Sequence, residues 1–186
     1  MTVAESKVYE ILASMGKVNL YHGSYIEIKQ PRILTPVRAL DFGAGFYTTS
    51  SFSQAKSWAK RQIRMRTISE NLDKHDQAIV TNYLFDRKGV REELNILIFE
   101  SPDSQWLEFV SRNRTLKCVK NYDLIIGPVA DDKTMAVVSD YIRGRYSQSE
   151  AIKRLKPFKL DDQYTFTNQK ALKYLTYEGA ERVDEN

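Results

Sequence analysis

His22 is the histidine whose surroundings suggest a binding role. It lies in the segment 20–24, Leu-Tyr-His-Gly-Ser, at the end of a predicted strand. An imidazole offers a hydrogen-bond donor and an acceptor, and a following glycine lets a flat ligand lie close to the main chain. The same pattern is also typical of a core or turn histidine whose glycine relieves a tight backbone. A lone His-Gly pair does not separate the two interpretations.

A second motif follows about twenty residues later. The segment 43–49, Gly-Ala-Gly-Phe-Tyr-Thr-Thr, combines a permissive backbone with an aromatic side chain that can stack on a planar ligand. Its alternative interpretation is a glycine bulge that enters an aromatic strand. The presence of both motifs in one chain favours the functional interpretation.

The scarcity of soft ligands limits the chemistry further. The sequence has one cysteine, Cys118, and two histidines, His22 and His75. A structural zinc site or a disulfide framework within the chain is therefore excluded. His75 lies in a polar run, and we expect it to be solvated. The sequence predicts no metal site.

The composition indicates one compact domain. The chain has 186 residues, 42% of them hydrophobic and 28% charged, with a net charge of +4 and a pI near 9.0. This mild positive charge permits a nucleic-acid partner without requiring one. No stretch approaches the ~18 apolar residues of a membrane span. The start has no leader pattern, so we expect a soluble, cytoplasmic protein without a membrane partner.

Hydrophobic periodicity predicts helices and strands in mixed order. Since strands and helices do not alternate regularly, the pattern favours an α+β fold over a doubly wound sheet. Strands are predicted at 17–24, after the second glycine motif, and at 78–85, 94–99, 122–129 and 163–167. Helices are predicted at 4–14, after a cap at Ser51 or Ser53, and at 104–113, 134–143, 149–155 (with Ser149 as a cap) and 169–175.

Two basic segments have both structural and functional interpretations. The helix after the second motif is expected to bury Ala55, Trp58, Ala59 and Ile63, while residues 56–66 carry five positive charges and no acid. That segment is either a solvated helix face or a contact for ligand phosphates or a nucleic-acid backbone. A second segment, Arg112-Asn113-Arg114, ends a helix, where it either compensates the helix dipole or contacts substrate.

Together these motifs make the chain recognisable. The run from Tyr21 to Ser24, the segment 41–49 and Gln54-Ala55 with Trp58-Ala59 resemble the opening half of the ADP-ribosyltransferase fold of poly(ADP-ribose) polymerases and diphtheria-type toxins. Within that superfamily the chain looks most like an uncharacterised bacterial family often encoded beside a small antitoxin. Segments 106–114, 122–130 and 162–167 resemble later landmarks of that family.

The resemblance implies a fold and three divisions of the chain. The fold is two small antiparallel-rich sheets that form a split β core with flanking helices. The ADP-ribosyltransferase-like domain covers residues 18–177. An N-terminal accessory helix, 1–17, and an acidic tail, 178–186, lie outside it.

The resemblance also implies roles in binding NAD, which is the substrate of a His-Tyr-Glu triad in such enzymes. His22 is expected to contact the adenosine ribose, the Gly23 main chain to anchor the nicotinamide amide, and Tyr47 to stack on the nicotinamide ring. Neighbours in both motifs are expected to line the same site: Ser24, Gly45, Phe46 and Thr48. No metal is needed. Arg112, Asn113 and Arg114 are expected to contact substrate.

The third triad position departs from the family pattern. Gln163 stands where the family has a glutamate, and an amide brings no negative charge to a developing cation. Asp161 or Asp162 could supply that charge, although side chains one or two positions away along a strand point elsewhere. Relatives that transfer a single ADP-ribose vary at this position, which keeps an enzymatic role open.

The resemblance therefore predicts a mono-ADP-ribosyltransferase toxin of a toxin-antitoxin or phage-defence system. Its acceptor is a macromolecule, RNA, DNA or protein, with nucleic acid slightly favoured because of the basic helix. A catalytically degenerate module that binds NAD or ADP-ribose and acts through protein interaction is one alternative, and an NAD glycohydrolase is another. A cognate antitoxin is the expected partner, with the helix at 4–14 and the acidic tail as candidate docking elements.

Overall fold

The structure is a computed structural model of the chain. It describes residues 16–34, 39–69, 71, 73–115, 121–130, 132–158 and 160–183. The predicted helix at 4–14 and Cys118 lie outside the described residues. Within them the chain forms seven strands and six helices, β1 (Lys17–Ser24), β2 (Phe46–Thr48), α1 (Phe52–Ile68), β3 (Ile79–Asp86), α2 (Val90–Glu93), β4 (Ile96–Ile98), α3 (Ser104–Arg114), β5 (Leu124–Pro128), α4 (Asp132–Ile142), α5 (Gln148–Leu155), β6 (Asp162–Phe166), α6 (Gln169–Leu172) and β7 (Leu175–Arg182).

The strands form two sheets. Sheet A has the order β1-β3-β7 and is antiparallel throughout, whereas sheet B has the order β2-β6-β5-β4. In sheet B only the β4–β5 pair is parallel. The predicted α+β class with two antiparallel-rich sheets is therefore confirmed.

Three apolar clusters define four layers. Leu20 and Phe85 of sheet A meet Phe46 and Phe166 of sheet B in a core between the sheets. The outer face of sheet A packs on α1, and the outer face of sheet B packs on α3, α4 and α5. Alternation of side chains along each strand makes this possible, because both faces of both sheets are apolar.

Helix α1 begins at a cap that the sequence predicts, but it turns a different set of side chains toward sheet A. Ser51 is the N-cap, and its side chain accepts a hydrogen bond from the N–H of Gln54. Ala55 and Ala59 are buried as expected, whereas Trp58 faces solvent with 37% of its surface exposed. Small side chains let α1 lie close to the sheet, so the wide indole is turned outward. Farther along the chain, the cap of α5 is Ser147 rather than Ser149.

The C-terminal segment differs most from the sequence prediction. The closing helix ends at Leu172 instead of 175, and β7 then pairs with the whole of β3. Residues 178–182, assigned to an acidic tail, are part of this edge strand, and Val183 beyond it is buried. Its polar residues face solvent because an edge strand buries few side chains, and this gives the segment the composition of a tail. Residues 184–186 lie outside the described residues.

Candidate functional site

Among the described residues, one bridge joins the two sheets, between Tyr21 of β1 and Thr49, the residue after β2. The N–H of Tyr21 donates to the carbonyl of Thr49 at 2.8 Å, and the N–H of Thr49 donates back at 3.0 Å. Beyond this bridge the two strands diverge. The residues 21–24 of the first predicted motif and 47–49 of the second therefore lie side by side. We call this place the junction.

His22 spans the gap between the diverging strands. Its Nδ1 lies 2.6 Å from the carbonyl oxygen of Tyr47, and its ring stacks on Phe46 with centroids 4.5 Å apart. Burial lowers the pKa of His22 below its usual 6.5, so the imidazole is neutral at pH 7. Because a carbonyl can only accept, Nδ1 carries the proton and donates. Nε2 is consequently a hydrogen-bond acceptor.

Gly23 is buried against α1, and its main chain points to the edge of β1 that does not pair with β3. A Cβ at this position would lie 2.0 Å from the carbonyl oxygen of Ala55, so no other residue fits without moving the helix. Polar main-chain groups two residues apart on a strand point the same way. Since those of Tyr21 bond Thr49, the N–H and C=O of Gly23 point to that same edge. Ser24, at the end of β1, is buried.

Tyr47 leaves β2 on the face opposite to Phe46 and His22. Its hydroxyl donates to the carbonyl of Gly43 at 2.6 Å and accepts from the N–H of Phe42 at 3.2 Å. The phenol therefore holds the loop that precedes β2. Gly45 lies tightly against β6, where a Cβ would come within 2.6 Å of a methyl group of Thr165.

Gln163 enters the junction from β6. In the register of β2 and β6, Tyr47 pairs with Thr165 and Thr48 pairs with Tyr164. One residue farther along, Gln163 lies opposite Thr49. Gln163 thus shares a sheet face with Tyr47. Its side chain is 7% exposed, and its Nε2 has no hydrogen-bond partner among the described residues. A buried amide without a partner is uncommon, and this Nε2 is one of five such side-chain atoms in the described residues.

Asp162 is committed to the turn between β2 and α1. Its carboxylate accepts hydrogen bonds from the Thr49 hydroxyl at 3.0 Å and from the main chain and hydroxyl of Ser50 at 2.8 and 2.5 Å. It lies on the sheet face opposite to Gln163, as strand alternation requires. Asp162 therefore does not place a charge beside Gln163, and Asp161 is exposed.

A comparison with protein families gives one match over residues 18–177, to the family described as protein of unknown function (DUF3990). The chain belongs to the DUF3990 family. Comparisons with curated proteins and with solved structures gave no match. The family match runs from β1 into the start of β7 and includes every residue of the junction.

Phe46 and Thr48, which the resemblance implies would bind NAD, are core residues in this DUF3990 chain. Phe46 is buried between the sheets, where it packs edge-on against Tyr83 and stacks on His22. Thr48 is buried, and its hydroxyl donates to the carbonyl of Tyr164. Both side chains leave β2 on the face that packs between the two sheets, so they belong to the core next to the junction.

The predicted substrate contacts at the end of α3 divide between solvent and an internal loop. Arg112 is exposed. Asn113 is buried next to Gly43, and its Nδ2 donates to the Phe109 carbonyl. Arg114 pairs with the buried carboxylate of Asp41 at 2.6 Å and donates to the Ala39 carbonyl at 3.1 Å. Arg114 therefore fixes the loop that Tyr47 also holds, and Asn113 packs beside that loop.

Thr49 and Asp41 are the site residues that sequence reasoning missed. The Thr49 hydroxyl contacts both Gln54 and Asp162, which ties β2, α1 and β6 together. The signal for Thr49 was the hydroxyl-rich run at 48–51 directly before a helix cap. Asp41 carried no local signal, since its partner Arg114 lies 73 residues away.

Two further features are absent from the described ranges. There, no three side chains of His, Cys, Asp and Glu cluster in a way that could hold a metal ion. Over the same ranges, no helix has the length and apolar character needed to cross a membrane.

Proposed function

We propose that this DUF3990 chain is a mono-ADP-ribosyltransferase that cleaves NAD and transfers ADP-ribose to a macromolecule. The observation that carries the proposal is the junction itself. It combines a neutral His22 with a fixed tautomer, the outward main-chain groups of Gly23 and the unpartnered amide of Gln163. These groups come from β1 and β6, two strands of different sheets.

Each group has a chemical counterpart in NAD. The Nε2 of His22 accepts a hydrogen bond from a hydroxyl of the adenosine ribose. The N–H and C=O of Gly23 match the carbonyl and amino groups of the nicotinamide amide. Because the two riboses of NAD are separated by a pyrophosphate, His22 and Gln163 need not touch, and they approach the junction from opposite faces of β2. Tyr47 supplies an aromatic ring beside the nicotinamide.

The reaction breaks the bond between C1′ of the nicotinamide ribose and N1 of nicotinamide. Nicotinamide leaves as a neutral molecule with the bonding electrons, an acceptor oxygen or nitrogen bonds C1′, and the acceptor loses one proton. Gln163 contributes a hydrogen bond at the ribose hydroxyls and no charge. We therefore expect slow turnover, since electrostatic stabilisation is usually the largest catalytic contribution.

The uncharged Gln163 also favours a second candidate, a module that binds NAD or ADP-ribose without turnover. Calorimetry separates the two functions. Binding of NAD without release of nicotinamide supports the module. Free ADP-ribose formed in the absence of any acceptor supports an NAD glycohydrolase instead.

The test of the main proposal uses labelled NAD with cell lysate. Wild type is expected to label protein or nucleic acid, and Tyr47→Ala is expected to abolish labelling. Gln163→Glu restores a carboxylate at the ribose, and we expect it to raise the rate of nicotinamide release about tenfold or more. Gln105→Glu makes the same change at an exposed position of α3 and should leave that rate unchanged. No labelling and no nicotinamide release from wild type or Gln163→Glu would contradict the proposal.

A transferase of this kind acts as a toxin in the cytoplasm, within a toxin-antitoxin or phage-defence system, and a cognate antitoxin keeps it inactive. Charge complementarity supports an acidic antitoxin surface, because α1 presents cations beside the junction. Expression without the antitoxin is expected to stop growth, and Tyr47→Ala should relieve the arrest.

A further inference from the structure

We propose that α1 and the segment 76–78 form a binding groove for single-stranded nucleic acid. The groove lies on the outer layer of sheet A, where α1 passes the start of β3. The inference depends on the proposed function only in that the bound strand would be the acceptor. Binding itself can be measured without NAD.

The first observation is a row of three cations along α1. Lys56, Lys60 and Arg64 are spaced by four residues, so they lie on one face at about 6 Å intervals along the axis. Lys56 and Arg64 are exposed and Lys60 is half-buried. In the described part of the chain no carboxylate lies within ion-pair distance of the three. Like charges at this spacing destabilise a helix, so the row lowers the local stability of α1.

Arg66, on the same helix, has a different environment. Its Nε lies 2.5 Å from the carboxylate of Asp76, and its guanidinium stacks over Tyr25 at 4.0 Å. The N–H of Asp73 and this guanidinium lower the pKa of Asp76, which therefore remains ionised and paired. Arg66 ties α1 to the loop before β3. It also pairs with Asp76, the acid that borders the groove among the described residues.

The second observation is the groove beside this row, a cavity of about 300 Å³. Lys60 and Arg64 form its rim, Ile63 and Ala78 form apolar walls, and Gln77 offers an amide. A cavity of this size is at the lower end of ligand pockets and accommodates one base. Phosphates on the rim and a base between apolar walls match the two chemical parts of a nucleotide.

The combination favours a single strand over a duplex. A base enters the groove only if it is free of its pairing partner, whereas a duplex can contact only the rim. A membrane surface is a poor match. Helix α1 does expose Trp58, Met65 and Ile68, but the guanidinium of Arg61 lies over the Trp58 ring at 5.6 Å and places a charge among them.

The experiment measures binding of the whole chain to a fluorescent 12-nucleotide single strand by anisotropy, without NAD and at several salt concentrations. The variant Lys56→Gln/Lys60→Gln/Arg64→Gln removes the row. Its matched control, Arg143→Gln/Lys153→Gln/Lys156→Gln, removes three exposed cations far along the sequence. Circular dichroism confirms that each variant is folded.

Wild type and the control are expected to bind alike. The α1 variant should bind about 100-fold more weakly, with the slope of log K against log salt reduced by about 2 for three lost phosphate contacts. A matching duplex or a vesicle of anionic lipid should compete poorly. Equal affinities of the two triple variants would overturn the proposal, and so would equal competition by duplex or vesicle. The proposed transferase activity would be unaffected by that failure, because nicotinamide release is measured separately.

Discussion

Helices α1 and α3 both carry basic residues near the candidate site, yet the structure uses them differently. Helix α3 turns Asn113 and Arg114 inward, where Arg114 holds the loop 39–43 through the Asp41 carboxylate and the Ala39 carbonyl. Helix α1 is attached through two alanines and leaves Lys56, Lys60 and Arg64 outside. The difference arises from the groups that neighbour each basic side chain. Buried carboxylates pair with Arg114 of α3 and with Arg66 of α1, whereas the row Lys56, Lys60 and Arg64 of α1 faces solvent.

Two contacts express this comparison, a close backbone approach that fixes α1 at Gly23 and a buried ion pair that fixes the end of α3 at Arg114. Gly23→Ala tests the first half and should have the largest effect. The new Cβ meets the Ala55 carbonyl at 2.0 Å, so we expect a loss of about 3 kcal/mol or more in the free energy of unfolding. Urea unfolding measures it. Gly144→Ala, where a Cβ meets nothing within 4 Å and only a positive φ is strained, should cost about 1 kcal/mol. Equal losses would show that α1 does not depend on Gly23.

Arg114→Ala tests the second half. It leaves the carboxylate of Asp41, which is 7% exposed, without its guanidinium. Because the pair is partly solvated, we expect a loss of about 2 kcal/mol in the free energy of unfolding, measured by the same denaturation. Arg64→Ala, on the exposed side of α1, should stay within about 0.5 kcal/mol of wild type. A reversal of this order would break the comparison between the helices.

Tyr47→Phe sharpens the comparison at the loop that α3 holds. The change removes the hydroxyl that bonds Gly43 and Phe42 and keeps the ring. We expect the free energy of unfolding to fall by about 1 kcal/mol. NAD turnover should survive in part, in contrast to Tyr47→Ala. Tyr141→Phe serves as the control, since no hydroxyl contact of Tyr141 occurs within the described ranges. Complete loss of turnover in Tyr47→Phe would mean that the hydroxyl acts on the substrate.

Protonation of His22 is expected to have the smallest effect on the free energy of unfolding. Its pKa is lowered in the folded chain, so the unfolded chain binds the proton more readily. The contribution of neutral His22 to the free energy of unfolding is therefore fully present above pH 6.5. It declines as the pH falls below 6.5 toward the pKa of the folded chain. His22→Phe should flatten thermal stability between pH 7.5 and pH 5. A decline of the same size in the variant would assign this pH dependence to other groups.

Local pattern was sufficient for most of the fold. Strand β1, the bounds of α3 and the α+β class follow from periodicity and caps, because these depend on neighbours within one or two turns. The last strand was missed for a physical reason. An edge strand buries few residues, so β7 has the composition of a polar tail until its pairing with β3 is known.

The candidate site was predicted in part. The first motif placed His22 and Gly23 at a strand end, and the second placed Tyr47 in the next strand. The sequence also singled out Gln163, but its neighbours come from β2 and β5, more than 30 residues away. Arg114 was interpreted as a substrate contact because its partner Asp41 lies 73 residues away.

The sequence by itself determined which residue types meet in the motifs, since a single histidine beside a glycine and a glycine-aromatic run are properties of the order of residues. Only the tertiary structure decided what those residues do to one another. The carbonyl of Tyr47 sets the tautomer of His22, burial keeps the imidazole neutral, and sheet register leaves the Gln163 amide without a partner. Each of these depends on desolvation and on contacts between distant segments, which no local pattern encodes.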